Sequence, residues 1–250
     1  MKIRFNILSL FLLCALLVSC GTSRQGGKKQ RKGMKTQVML TPEQQRKYDY
    51  FFLEASRLKM KDDYSAAFDL LQHCLTINPN ASSALYEISQ YYMYLKQVPQ
   101  GQAALEKAVE NDPDNYWYSQ GLASLYQQQN EMQKATNLLE NMATRFSDRM
   151  DPLYSLLDIY NRLEEYDNVI TTLNRLEEKM GKNEQLSMEK FRIYLQKKDN
   201  QSAFREIESL VEEYPMDMRY QVILGDVYMQ NDKKDEAYNI YKKVLATEPD

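Results

Sequence analysis

Residues 82–115 read SSALYEISQYYMYLKQVPQGQAALEKAVENDPDN, and the fold is decided there. Leu85, Ile88, Ser89 and Tyr92 fall at i, i+3, i+4 and i+7, one face of a helix. Pro99 suits the first turn of a second helix, where Gly101, Leu105 and Ala108 repeat that face before Pro113. Small residues at Ser89 and Gly101 let two helix backbones approach, while Leu85 and Leu105 fill the space on either side. Outward from this stretch the same slots recur every 34 residues. One ladder is Tyr92, Tyr126, Tyr160, Tyr194 and Tyr228, with Leu58 one step earlier. A second is Ala67, Gly101, Ala135, Val169, Ala203 and Ala237, and a third Leu71, Leu105, Leu139, Leu173, Ile207 and Tyr241. Pro79, Pro113, Pro215 and Pro249 close four of the six units. These registers predict an all-α chain of helical hairpins, each burying its apolar face on the next.

A 34-residue period with this pattern resembles the tetratricopeptide repeat family. The resemblance implies a right-handed α-solenoid of about six hairpins over 41–250, with units at 48–81, 82–115, 116–149, 150–183, 184–217 and 218–250. The second unit is closest to the family pattern, and the last fits nearly as well through Leu224, Gly225, Tyr228, Ala237 and Tyr241. Thr41, Pro42 and Gln44 predict a capped start to the first helix. Units three to five depart. The third ends in Arg145-Phe146-Ser147 without proline, the fourth has Leu157 and Val169 at small slots and Gly181 for the proline, and the fifth has Phe191. That bulk predicts paired helices pushed apart and altered curvature around 150–200. Before Pro249 the residues Tyr238, Tyr241, Val244 and Leu245 would leave a partly bare apolar face, so either the solenoid continues past residue 250, which we expect, or another surface covers this end.

Residues 1–19 read as an export signal: Lys2 and Arg4 precede an apolar run from Ile7 to Val18. Leu17-Val18-Ser19-Cys20 resembles the lipobox of bacterial lipoproteins, which implies that Cys20 is lipidated and anchors the chain. Gly21 follows, and no acidic residue occurs until Glu43. By resemblance this implies a lipid anchor in the outer membrane facing the periplasm of a Gram-negative, Bacteroidetes-like bacterium. Residues 20–40 then read as a flexible basic tether, with Arg24, Lys28, Lys29, Arg31, Lys32 and Lys35 and no apolar periodicity.

Net charge is −3 with 27% charged residues, so no global field points to nucleic acid. His73 is the only histidine, which removes a Ser-His-Asp site and any multi-histidine metal site. Cys74 fills the small slot that Ala108 fills one unit later, and its neighbour His73 points to another helix face. The pairs Glu164-Glu165, Glu177-Glu178 and Glu212-Glu213 diverge on a helix and read as solvated faces. Neither a catalytic site, a metal site nor a cofactor is expected.

In the family, positions 2, 5, 9, 12 and 13 of each first helix line the inner face. Carried over, these are Tyr86, Gln90, Met93, Tyr94, Trp117, Gln120, Ser124, Gln127, Tyr154, Asp158, Asn161 and Arg162, then Met188, Arg192, Leu195, Arg219, Asp226 and Met229. Rigid aromatics beside adaptable amides suit an extended peptide or a partner's helix. The lysine–asparagine clamp for C-terminal carboxylates is missing: Phe52, Ser56 and Lys59 stand in the first unit. The expected function is a non-catalytic scaffold for a protein or peptide partner in envelope assembly or secretion. The alternative is the N-terminal adaptor of a longer enzyme or signalling protein whose catalytic part lies past residue 250.

Overall fold

The structure is a computed structural model and describes residues 39–247. The export signal, Cys20 and the basic tether lie outside these residues. Among the described residues twelve helices form six consecutive pairs: α1 (Pro42–Lys59) with α2 (Tyr64–Ile77), α3 (Ser82–Tyr94) with α4 (Val98–Asn111), α5 (Tyr116–Gln128) with α6 (Met132–Arg145), α7 (Asp151–Arg162) with α8 (Tyr166–Met180), α9 (Glu184–Gln196) with α10 (Asn200–Glu213), and α11 (Met218–Gln230) with α12 (Lys234–Thr247). The close backbone approaches among them are between helices adjacent in sequence. That is the quasi-one-dimensional pattern of stacked repeats.

The start is capped as the sequence predicts. Gln44 N–H donates to Thr41 Oγ1 at 3.2 Å, and Thr41 N–H donates to Gln44 Oε1 at 2.9 Å. The small ladder is the hairpin seam: Ala67, Ala135, Val169, Ala203 and Ala237 have no exposed surface, and Gly101 is buried with them. At Gly101 an added Cβ would stand 2.8 Å from Met93 Sδ and 3.1 Å from the Ser89 carbonyl oxygen. Leu71, Leu105, Leu139, Leu173 and Ile207 are buried beside them.

The tyrosine ladder has two duties. Its side chains reach the preceding unit: Tyr126 Oη donates to Glu106 Oε1 at 2.9 Å, and Tyr160 Oη to Glu140 Oε1 at 3.3 Å. Its carbonyls close the first helices. The N–H of Asp63, Gln97, Glu131, Glu165, Asp199 and Lys233 each donates to the carbonyl of Leu58, Tyr92, Tyr126, Tyr160, Tyr194 and Tyr228 in turn. The residue before each donor, namely Asp62, Lys96, Asn130, Glu164, Lys198 and Asp232, has φ between 56° and 61°. Each hairpin turn is therefore a Schellman cap with its left-handed residue in the same phase.

Where proline closes a unit, the second helix stops just before it: α2 ends at Ile77 and α4 at Asn111. In the fourth unit Gly181, at φ 80°, ends α8 at Met180. Bulk at the seam acts unevenly. The second hairpin, with Ser89 and Gly101, packs its two helices most densely, and the fourth, with Leu157 and Val169, most sparsely, as the sequence predicts. The fifth, with Phe191, departs from the expectation: its helices pack more densely than those of the third, which has Ala123 and Ala135 at both slots. In the register Phe191 faces Ala203, and a large residue against a small one packs without separating the backbones.

One core residue is charged. Ile88, Leu122, Leu156 and Leu224 are buried at one phase, and at the same phase in α9 stands Lys190, 5% exposed. Its Nζ lies 2.9 Å from Glu177 Oε2 on α8 and 3.1 Å from Glu206 Oε1 on α10. Glu177 is thus half-buried and ion-paired, not the solvated residue expected from its place beside Glu178. A carboxylate on a hairpin's flank is drawn in where the next helix offers an ammonium.

Candidate functional site

Three successive first helices contribute to an open cleft of about 400 Å³, lined by Phe52 of α1, Ser83, Tyr86 and Glu87 of α3, and Asn115, Trp117 and Tyr118 at α5. Its walls are braced from behind. Tyr48 stacks on Phe52 with ring centroids 5.9 Å apart, and its hydroxyl is 2.9 Å from Ser83 Oγ. Tyr86 packs on Tyr118 at 4.8 Å, across the junction of two units. Asn115 caps α5 by accepting from Trp117 N–H at 3.1 Å, which fixes where the indole starts.

Trp117 is 63% exposed and Tyr116 beneath it is buried. The Arg149 guanidinium lies 4.0 Å from the Tyr116 ring centre and 5.6 Å from that of Trp117, so the indole has a cationic edge. On the opposite side Lys59 donates to Glu87 Oε2 at 2.7 Å. That hydrogen bond holds the Lys59 ammonium above its ordinary value. The cleft is therefore an aromatic floor with one paired and one ring-bound cation at its margins. Such a surface can hold an amphipathic or extended chain segment. Among the described residues no three His, Cys, Asp or Glu group as metal ligands.

Of the residues predicted to line the inner face, Tyr86 and Trp117 meet in this cleft, while Gln90 and Tyr94 open into a different one beside Lys59. Met93 lies against Gly101 and packs on the apolar core. Gln120 accepts from Tyr116 Oη at 3.0 Å, and Ser124 is half-buried one turn further on. Tyr154 is 48% exposed with its hydroxyl 3.4 Å from Met180 Sδ. Asp158 and Arg162 are exposed and pair at 3.8 Å, and Arg192 pairs with Glu189 at 2.6 Å. Asp226 accepts from Tyr241 Oη at 2.7 Å. The sequence reading passed over Ser83, Glu87, Asn115 and Tyr118. The signal for Tyr118 was its place next to Trp117, one helical position outside the inherited set. Cys74 is fully buried and burial pushes its thiol up to about 11, so it is inert.

The geometry defines a stack of helical hairpins whose first helices share a cleft. Residues 82–115 and 219–250 match the family model described as tetratricopeptide repeat, so the second and sixth hairpins, nearest the pattern by eye, are the ones recognised. A tetratricopeptide repeat protein from Parabacteroides merdae aligns at TM-score 0.51 and 17% identity over 80% of each chain. The Naa15/Naa10 assembly bound to HypK aligns at TM-score 0.57 and 17% identity, over 83% of this chain and 33% of that one. A Pseudomonas aeruginosa pilF structure aligns at TM-score only 0.45 and 11% identity, over 83% of this chain and 94% of that one. At these identities the likeness is one of fold. The fold is that of tetratricopeptide repeat proteins. No curated protein matches the sequence.

Proposed function

We propose that the chain is a non-catalytic scaffold that holds a protein partner against its first helices. The observation that carries this reading is the open aromatic cleft, in which Trp117 remains 63% exposed although every neighbouring ring is packed. An exposed indole that continues the rings of Phe52, Tyr86 and Tyr118 in one cleft makes an apolar patch of the kind interaction anchors use. The partner is an extended segment or an amphipathic helix, laid across Phe52, Tyr86 and Trp117. Crosslinked capture of the full chain from membranes tests it. Tyr86→Ala with Trp117→Ala should lose the partner that the unaltered chain recovers; recovery of the same partner by the variant would refute the cleft.

We further propose that the scaffold is tethered to the outer membrane through lipid on Cys20 and faces the periplasm. The lipobox-like Leu17-Val18-Ser19-Cys20 supports this reading. Among the described residues no helix is long and apolar enough to cross a membrane. Cys20→Ala should release the chain from the membrane fraction, and a variant that still sediments with membranes would count against lipidation.

A further inference from the structure

Gln90 and Tyr94 belong to a second cleft, of about 310 Å³, walled by Lys59, Tyr64, Gln90, Tyr91 and Tyr94. Tyrosine rings form most of it. Tyr64 is fixed by donating its hydroxyl to Asp62 Oδ1 at 2.7 Å, and its ring lies 6.4 Å from that of Tyr91. Phe68 supports Tyr91 from behind at 5.9 Å. Tyr94 is 81% exposed and is the wall free to swing.

Tyr91 is only 8% exposed, and its hydroxyl has no hydrogen-bond partner and no access to water. A buried hydroxyl in that state is unfavourable until an acceptor or donor reaches it. The charge at this site is already neutralised, because Lys59, its one charged wall, is paired with Glu87 at 2.7 Å. An uncharged occupant leaves that pair intact.

We propose that this cleft binds an uncharged, proline-containing extended segment of a partner protein, with a carbonyl of the segment accepting from the Tyr91 hydroxyl. The inference rests on the scaffold reading and names the chemistry of one partner segment. Flat tyrosine walls match the pyrrolidine ring, as in other aromatic-lined grooves for polyproline. Proline brings no N–H, so its burial among rings leaves no donor unpaired. An extended polyproline backbone makes no internal hydrogen bonds, so its carbonyls are free to accept. The Tyr91 hydroxyl lies beside Lys59 and Glu87, so a shift of the half-exposed Lys59 side chain opens the path to it.

Titration calorimetry of the full chain with a short blocked peptide alternating alanine and proline tests the proposal. The comparison probes are a blocked glycine–serine peptide of equal length, the proline peptide with a free C-terminal carboxylate, and a neutral glucose oligomer. Saturable binding of the blocked proline peptide is expected, with affinity reduced about tenfold in Tyr91→Phe, the loss of one hydrogen bond in a dry site. Tyr91→Phe keeps the ring and should melt no earlier than the parent, so its loss of affinity is not a loss of fold. Tyr94→Ala should weaken binding as well. Absence of saturable binding, equal binding of the glycine–serine peptide, a preference for the free carboxylate or the sugar, or unchanged affinity in Tyr91→Phe would each overturn the proposal. The two readings fail separately. A chain that ignores the proline peptide but loses its partner in the Tyr86→Ala, Trp117→Ala variant defeats only this site. A chain that binds the peptide but keeps its partner in that variant defeats only the first cleft.

Discussion

In the second hairpin the seam slots hold Ile88, Ser89 and Gly101; in the fifth the same slots hold Lys190, Phe191 and Ala203. The second carries no charge and packs its two helices most densely. The fifth puts an ammonium where the second, third, fourth and sixth hairpins have a branched aliphatic, and a phenyl ring where the second has a hydroxyl. The apolar core divides at both hairpins: Leu85, Ile88, Ala104 and Ala108 belong to one cluster and Leu105 to the next, and Ile193 belongs to one cluster and Phe191 to another. A stack of repeats survives such a break because each hairpin packs only on its neighbours. In a single closed core the same charge would have to be satisfied among all the elements at once. Here two carboxylates on the flanking helices suffice.

The largest expected effect comes from removing the ammonium. Lys190→Ala leaves Glu177 and Glu206 facing each other and should destabilise the chain by about 2–4 kcal/mol, less than for a fully buried pair because both carboxylates retain some solvent. Replacing the triad by its equivalents one unit upstream, as Lys190→Leu, Glu177→Ala and Glu206→Thr, should be neutral or stabilising by about 1–4 kcal/mol. Denaturant melts of both variants check this, and a triple variant as weak as the single one would mean that the charge is not the cause. The triad also gives the fifth hairpin a pH signature. Burial pulls the Lys190 ammonium down, but the hydrogen bonds with Glu177 and Glu206 outweigh it and hold it above its ordinary value. A raised folded value means that this stabilisation is complete below about pH 10.4, the unfolded lysine value, and is lost as pH rises through the folded one. Tyr160, pushed up to about 12 by burial and Glu140, titrates in the same sense. Melting temperature should therefore fall on the alkaline side in the parent, and less steeply in the triple variant.

The second hairpin breaks differently. Gly101→Leu should cost about 1–3 kcal/mol by overpacking, since its Cβ already meets Met93 and the Ser89 carbonyl. Gly101→Ala should cost much less, because alanine fills this slot in four other hairpins and the Met93 thioether can move. Equal losses in the two variants, read from denaturant midpoints, would show that the seam is not what limits the approach of the helices.

Most of this contrast was visible before any coordinates. The tyrosine, alanine and leucine ladders are side-chain repeats at one period, and their burial follows from it. Lys190 was legible only as a gap in the series Ile88, Leu122, Leu156, Leu224. Its partners could not be read, because Glu177 and Glu206 come from two other helices and look solvent-facing in their own sequence context. The site was legible to about the same depth. Helical position places Tyr86, Gln90, Tyr94 and Trp117 on exposed first-helix faces, but their division into two clefts depends on how Tyr86 rests on Tyr118 and how Tyr64 is tied to Asp62.

The turns left only a weak signal, and they provide the finest comparison. The six left-handed hairpin positions among the described residues hold no glycine, and only Asp62, Asn130 and Asp232 are of types that favour the conformation. A non-glycine residue pays about 1–2 kcal/mol for that conformation, offset in part by the roughly 0.5–1 kcal/mol of extra chain entropy that glycine loses on folding. Asparagine tolerates the conformation better than glutamate because its short amide can bond locally. Glu164→Gly, at φ 56°, should therefore raise stability by about 0.5–1 kcal/mol, whereas Asn130→Gly, at φ 59°, should change it by no more than about 0.3 kcal/mol. Equal midpoints for the two glycine variants would mean that the caps are held by the ladder carbonyls alone, with no conformational strain left to relieve.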